Sequence, residues 1–396
     1  MTSAALPQTL GRLNVLIIPD KFKGTLPARA VAEAIALGWR ESRPADKLTL
    51  LPMSDGGDGF GEVMGHLLGA EVRESPTVDA AHRACIARWW WEPKGRIALI
   101  DSAGVIGLAM LKPNEFHPFA LDTFGLGLVL REATRNGAQQ CIIGIGGSAT
   151  NDAGFGLARA IGWEFLDSFG RPLERWTALD QLAELRLPEN FSLFETCLVA
   201  VDVQNPLLGP RGATRVYGPQ KGLQPADFDR AERSLERLAS VTGKKLGKNF
   251  AAVPGAGAAG GLGFGLLAFL SAQLFPGFEW FAEKSGLEDR LKSADLVITG
   301  EGAIDESTLM GKGVGQIAQR CRTLGVPCIA LAGRVDLKKP GENVFTECHG
   351  LTELTTLGSA AKDTAIWLQR LATATAAALK PSPVQNRPSS SLEARK

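Results

Sequence analysis

The chain has 396 residues, 45% of them hydrophobic, with a formal net charge of +1. That length favours two domains with cores of ordinary size, and the near-neutral balance removes the general electrostatic reason to expect nucleic acid or an anionic membrane as partner. No apolar run approaches the ~20 residues of a membrane span, and the N-terminal stretch lacks a basic-then-apolar signal peptide, so a cytoplasmic protein is the expectation.

Six cysteines (Cys85, Cys141, Cys197, Cys321, Cys328, Cys348) include no C-x-x-C pair. Three begin or sit in apolar strand-like runs, so buried free thiols are expected rather than disulfides. Residues 13–18 (L-N-V-L-I-I) read as a first strand ending in Pro19-Asp20-Lys21-Phe22-Lys23-Gly24. In open α/β sheets this carboxyl end is where ligands bind. Lys21 and Lys23 are either solvated or meet a phosphate or carboxylate. Thr25 is placed to cap the next helix, with Pro27 in its first turn.

A second strand at 48–52 leads into Met53-Ser54-Asp55-Gly56-Gly57-Asp58-Gly59 and a helix with a 3,4-spaced apolar stripe. A helix cap needs only one carboxylate, so Asp55 and Asp58 among glycines point to a site. Residues 86–91 and 97–100 read as a hairpin turning at 93–95. Trp89, Trp90 and Trp91 cannot all face one side of it, which places at least one at a domain or subunit surface. Glycine-containing turns follow at 101–110 and at Thr123-Phe124-Gly125-Leu126-Gly127.

Cys141-Ile142-Ile143 is a buried strand that runs into G-I-G-G-S-A-T-N-D-A-G-F-G at 144–156 and then a helix. This turn is either a phosphate cradle or a tight structural turn; Ser148 and Thr150 add hydroxyls, and Asn151 and Asp152 could meet a metal or a substrate hydroxyl. The strand at 197–201 ends in Asp202-Val203-Gln204-Asn205-Pro206, and Lys221 follows among Gly and Pro at 218–222. Residues 226–241 form an amphipathic helix, and 254–265 is either a second phosphate loop or a packing surface of small residues.

The strand at 295–299 ends in Gly300-Glu301-Gly302-Ala303-Ile304-Asp305, with Gly311-Lys312-Gly313 beyond it. The strand at 328–332 ends in Gly333-Arg334, the helix at 361–379 is alanine-rich, and the tail from Pro381 lacks any apolar period and should be disordered. The four histidines are isolated, so zinc or His-based nucleophilic chemistry is not expected. What recurs is a strand ending in Gly with Asp or Glu, often with Lys. That inventory suits an anionic substrate and phosphoryl transfer, where positioning and charge neutralisation supply most of the catalysis.

Seven stretches, taken in this order, resemble the type I glycerate kinase family, which is unrelated to P-loop kinases. They are I-P-D-K-F-K-G at 18–24, S-D-G-G-D-G at 54–59, G-G-S-A-T-N-D-A-G at 146–154, D-V-Q-N-P-L-L-G at 202–209, G-P-Q-K-G at 218–222, P-G-A-G-A-A-G-G-L-G at 254–263 and L-V-I-T-G-E-G-A-I-D at 296–305. The resemblance implies ATP-dependent phosphorylation of D-glycerate to a phosphoglycerate, with Mg2+. It implies an α/β fold of two α/β domains with the active site in the cleft between them. One is a flavodoxin-like or Rossmann-like domain with a parallel sheet, made of 1–80 plus 285–380; the other is inserted at 81–284, and 381–396 forms the tail.

On that resemblance Asp202, Asp55 and Lys23 are the catalytic candidates. Asp20, Lys221, Asp58, Asn205, Asn151 and Asp152 are expected at the substrate. Gly146, Gly147, Ser148, Thr150, Gly300 and Glu301 are expected at ATP, and Glu301 and Asp305 at magnesium. The tryptophan cluster is compatible with a homodimer. The chain departs from the family pattern at Lys21 (usually Ser), Asp58 (usually Glu), Leu126 and Leu128 (a Thr and a Glu), Ala303 (an Arg) and Ser307 (a Gln). Losing a forked cation at 303 is not conservative. Kinases of another small hydroxy acid or polyol, and a non-catalytic ligand-binding relative, are therefore the alternatives.

Overall fold

A computed structural model describes residues 11–189, 192–309, 313–337 and 344–379. The expected disordered tail at 381–396, and Gly311 and Lys312, lie outside the described residues. The strands in chain order are β1 (Asn14–Ile17), β2 (Lys47–Leu50), β3 (Glu71–Val78), β4 (Ala84–Glu92), β5 (Ile97–Asp101), β6 (Gln140–Gly144), β7 (Glu164–Leu166) and β8 (Glu184–Arg186). They continue with β9 (Thr196–Ala200), β10 (Gln273–Phe275), β11 (Leu296–Thr299), β12 (Ala303–Ile304), β13 (Cys328–Ala332), β14 (Arg334–Val335) and β15 (Glu347–Gly350). The chain forms two compact units: one from the described residues of Met1–Met53 and Glu288–Lys396, the other from Ser54–Leu287. Residues 54–80, expected with the outer unit, fold with the central one because β3 pairs with β4 over eight residues.

The outer unit holds a five-stranded parallel sheet in the order β15-β13-β11-β1-β2. Counted within the unit this is the flavodoxin-like order, whose chain direction reverses beside β1. The strands L-V-I-T and C-I-A-L-A are buried at every residue, as a sheet covered on both faces requires. Helix Ala28–Ser42 packs its Val31, Ile35 and Trp39 face into this core. Pro27 is its N-cap, with no side-chain cap hydrogen bond. Thr25 was the expected cap, but Phe22 and Leu26 pair as a bridge and turn the Thr25 hydroxyl back to Phe22 O (3.1 Å). The alanine-rich stretch is two helices, Leu357–Lys362 and Thr364–Ala378, rather than one.

The central unit holds a six-stranded mixed sheet, β10-β9-β6-β5-β4-β3. Strands β5, β6, β9 and β10 run parallel, and β3 and β4 are antiparallel additions. The tryptophan run is accounted for within the unit. Trp89 is fully buried with its indole N–H on Ser75 Oγ (2.9 Å), Trp91 meets Trp89 edge-on, and Trp90 lies over Gly61 and Gly65 of helix Phe60–Leu67. Residues 123–127, read as a turn, instead open helix Phe124–Arg135, and Leu126 is wholly buried in the core. The departure at 126 therefore serves packing.

All six cysteines are free, and Cys141, Cys197, Cys321 and Cys328 are buried. No helix among the described residues is long and apolar enough to cross a membrane.

Candidate active site

Register decides which loops meet. In the central unit Asp101, Gly144 and Ala200 stand abreast on β5, β6 and β9, so the segments that follow leave the sheet at one level. Gly146 N–H donates to Gly56 O (3.2 Å), and Gly147 lies against Asp58 and Ala103. The S-D-G-G-D-G and G-G-S-A-T loops thus pack backbone to backbone. Neither Asp55 nor Asp58 caps helix Phe60–Leu67. Its N-cap is Gly59, whose N–H goes to Asp101 Oδ2 (2.6 Å), and Asp101 Oδ1 takes Ala103 N–H (3.0 Å). Asp101 escaped the sequence reading, although it ends a buried strand just as the candidate acids do.

Asp202 emerges after β9. Its Oδ1 accepts the N–H of Gly277 (3.1 Å), at the start of helix Gly277–Ser285, and the Phe278 N–H adds a second bond. Burial of the carboxyl, then the charge of Asp55, push its pKa from 3.8 up to about 7, against those two amides. By accessible surface Asp202 is nonetheless an exposed residue, so water moderates both effects. Gly277 has to be glycine: a Cβ there would lie 2.2 Å from Asp55 O, so its small size lets the Asp202 anchor and the Asp55 loop approach each other. Asp55 is half-buried, with Oδ1 on Gly57 N–H (3.1 Å).

A second group lies deeper. Lys221 ends helix Ala213–Lys221, only 6% exposed, with Nζ donating to Thr150 O (2.5 Å). Burial lowers its pKa to about 7, opposed by the Asp152 charge. Asp152 is fully buried and accepts from Thr123 N–H (2.9 Å), Thr123 Oγ1 (2.8 Å), Gly154 N–H (3.3 Å) and Gly156 N–H (2.9 Å). Burial and then Asp122 raise its pKa to about 6, against those bonds. Ser148 Oγ and Thr150 Oγ1 bond each other (3.0 Å). Asn151 Nδ2 donates to Thr214 Oγ1 (3.1 Å), while its Oδ1 is buried without a partner. Asn205 is committed at both ends of its amide, to Arg211 O (2.8 Å) and the Tyr217 hydroxyl (2.7 Å).

The stretch 254–265 is a packing surface. Ala259, Gly260 and Gly261 all take left-handed angles, and a Cβ on Gly260 would lie 1.9 Å from Thr150 O and 2.7 Å from Lys221 Nζ. Only glycine leaves Lys221 its place there.

In the outer unit Ile17 stands beside Ile298, and Thr299 beside Ala330, so the ends of β1, β11 and β13 are also level. Asp20 N–H donates to Gly300 O (2.8 Å), Gly302 lies against Lys23, and Gly333 N–H donates to Glu301 O (3.2 Å). Glu301 Oε1 accepts the Thr308 hydroxyl (2.6 Å), and Asp305 Oδ1 accepts from Ser307 N–H (2.8 Å) and Oγ (2.5 Å). Asp20 and Asp305 are half-buried and Lys23 is exposed. Among the described residues no three His, Cys, Asp or Glu side chains form a metal-holding group.

A sequence model of the glycerate kinase family matches residues 15–380. The chain belongs to the glycerate kinase family. The glycerate kinase of Halalkalibacterium halodurans is 39% identical over 345 residues, which span 85% of this chain and 89% of that one. The glycerate 2-kinase of Escherichia coli K12 is 36% identical, spanning 81% and 85%. A crystal structure from Salmonella typhimurium LT2, assigned as glycerate kinase 2, superposes with a TM-score of 0.75 at 33% identity, covering 93% of this chain and 98% of that one. Like the rest of the glycerate kinase family, the chain is a kinase, a phosphotransferase acting on an alcohol group.

Proposed function

We propose that this chain phosphorylates D-glycerate to a phosphoglycerate with ATP and magnesium. The observation that carries the reading is the Asp55–Asp202 pair: two carboxylates close enough for one to raise the other, one of them held by the first turn of a helix. A carboxylate with pKa near 7 is matched to taking a proton from a substrate hydroxyl at neutral pH. Asp202 is the base in this scheme. The Gly277 and Phe278 amides fix the direction of its lone pairs, and Asp55 orders the reacting hydroxyl.

Glu301 and Asp305 are hard oxygen donors oriented by neighbouring hydroxyls, the ligand type magnesium takes when it keeps several waters. They would hold the metal. Lys23, exposed on the loop against Gly302, supplies a cation for a phosphate or the substrate carboxylate, with Asp20 beside it. Magnesium-bound ATP, when present, supplies the phosphoryl group and neutralises its charge.

Lys221 and Asp152 contribute by holding the 148–152 turn: the ammonium clamps Thr150 O, and the carboxylate gathers four donors. Asn151 Oδ1 is an acceptor that a substrate hydroxyl would satisfy.

The test is ATP consumption with magnesium and D-glycerate, set beside L-glycerate, glycerol and tartronate. Turnover on D-glycerate is expected, with Asp202→Asn lowering kcat by about 10²–10⁴-fold, the range of a positioned base. Silence on D-glycerate with turnover of another acceptor would refute the substrate. A fewfold loss in Asp202→Asn would refute the base.

A further inference from the structure

Arg334 stands beside the Glu301 turn. Strands β12 and β14 form a two-stranded parallel ladder in which Ala303 faces Arg334 and Ile304 faces Val335. Backbone bonds tie the pair to the turn: Arg334 N–H to Gly302 O (3.2 Å), Gly333 N–H to Glu301 O (3.2 Å) and Asp336 N–H to Ile304 O (2.8 Å). Residues opposite one another in such a ladder project on the same face, about 4.8 Å apart. The stem of an arginine exceeds that spacing, so a guanidinium on 334 sweeps the ground that a long side chain on 303 would occupy. Ala303 contributes only a methyl and leaves that ground open.

Two further features fit a ligand-facing role. Arg334 is exposed, and its Nε pairs with Asp336 Oδ2 at 3.0 Å while both side chains are about half exposed (50% and 51%). Such a pair holds weakly, and an incoming anion can share or displace it. The turn it adjoins carries Glu301 and Asp305, so an oxyanion placed there needs a cation close by. The planar fork of arginine meets carboxylate and phosphate oxygens two at a time.

We propose that Arg334 binds an oxyanion of the reactants, supplying from β14 the guanidinium that Ala303 on β12 lacks. This rests on the kinase reading above. The oxyanion is either the carboxylate of the hydroxy acid or a phosphate of the nucleotide, and the two are separable by experiment.

The experiment compares the full-length wild type with Arg334→Ala, Arg334→Lys and the double variant Arg334→Ala/Ala303→Arg. KM and kcat are measured for D-glycerate and for ATP, with calorimetric titration of D-glycerate alone and ATP alone, and a melting temperature for each variant. Arg334→Ala is expected to weaken one reactant by about 10- to 100-fold in both KM and calorimetric affinity, with kcat changed much less. Its melting temperature should stay within about 1 °C, as for an exposed position. Lysine should restore little, since it lacks the fork. Arginine at 303 should restore binding to within about threefold.

A shift confined to D-glycerate assigns the carboxylate, and one confined to ATP assigns the phosphate. All constants within twofold in Arg334→Ala, or no rescue by Ala303→Arg in a protein that melts normally, would overturn the proposal. Were the wild type silent on D-glycerate but its calorimetric anion binding still lost in Arg334→Ala, the glycerate reading would fall and this one would stand. Normal turnover together with an indifferent Arg334→Ala would do the reverse.

Discussion

Replacing Asp55 by Asn removes one negative charge beside Asp202 and keeps an oxygen that can still accept the Gly57 N–H (3.1 Å). In the wild type burial and then Asp55 raise Asp202 from 3.8 to about 7, so kcat/KM should climb along an acid limb centred near pH 7. Without the neighbouring charge the ionised form costs less, the pKa falls, and the limb moves to lower pH. Burial persists, so the limb does not return to an ordinary carboxylate value. A like charge at short range accounts for about one unit. At pH 6 a base with pKa 7 is about one-tenth ionised and one with pKa 6 about half, so the variant keeps roughly five times more of its own plateau there. The assay is a coupled measurement of ADP release from pH 5 to 9, each profile normalised to its plateau. A wild-type limb near pH 4, or a limb that stays put in Asp55→Asn, would refute both the base assignment and the coupling.

Asp202→Asn should also raise the melting temperature at pH 8 by about 1–3 °C while it removes turnover. The sign follows from a pKa raised above 3.8: this group favours folding fully below pH 4 and loses that contribution as pH rises to about 7. Gly260→Ala forces a Cβ to within 1.9 Å of Thr150 O at a φ of +71°, so it should lower the unfolding free energy by about 3 kcal/mol or more in a denaturant titration. Gly358→Ala has nothing within 4 Å of the added methyl in helix Leu357–Lys362, and should be neutral or stabilise by about 0.5 kcal/mol. A thiol reagent should reach at most Cys85 and Cys348 in the native protein and all six cysteines in denaturant, with no change on prior reduction. Rapid native reaction of more than two thiols would contradict the packing.

Much of the candidate site was legible because its signal is local. A β-branched run that stops at glycine and an acid marks the carboxyl end of a parallel strand wherever the strand lies, and that pattern is what makes Asp20, Asp55, Asp202 and Glu301 candidates. The same signal carries no information on side-chain depth. Lys221, read as a cation among Gly and Pro, is a buried helix end clamped on Thr150 O. Thr25 looked like a cap but bonds back into its own turn. Asp101 and the Gly277 amide were missed, since their partners are 42 and 75 residues away.

The amino-acid sequence by itself determined the family, the α/β class and the set of strand-end loops, because short-range apolar patterning and glycine chemistry act within about ten residues. Tertiary structure alone decided which loops meet, since sheet order and register bring Asp101, Gly144 and Ala200 level although nearly a hundred residues separate the first from the last. It also decided protonation. Asp55 and Asp202 are far apart in an extended chain, and only folding crowds the Asp202 carboxyl and sets Asp55 near it. Pairing across β12 and β14 likewise sets Arg334 opposite Ala303, a relation that thirty intervening residues conceal.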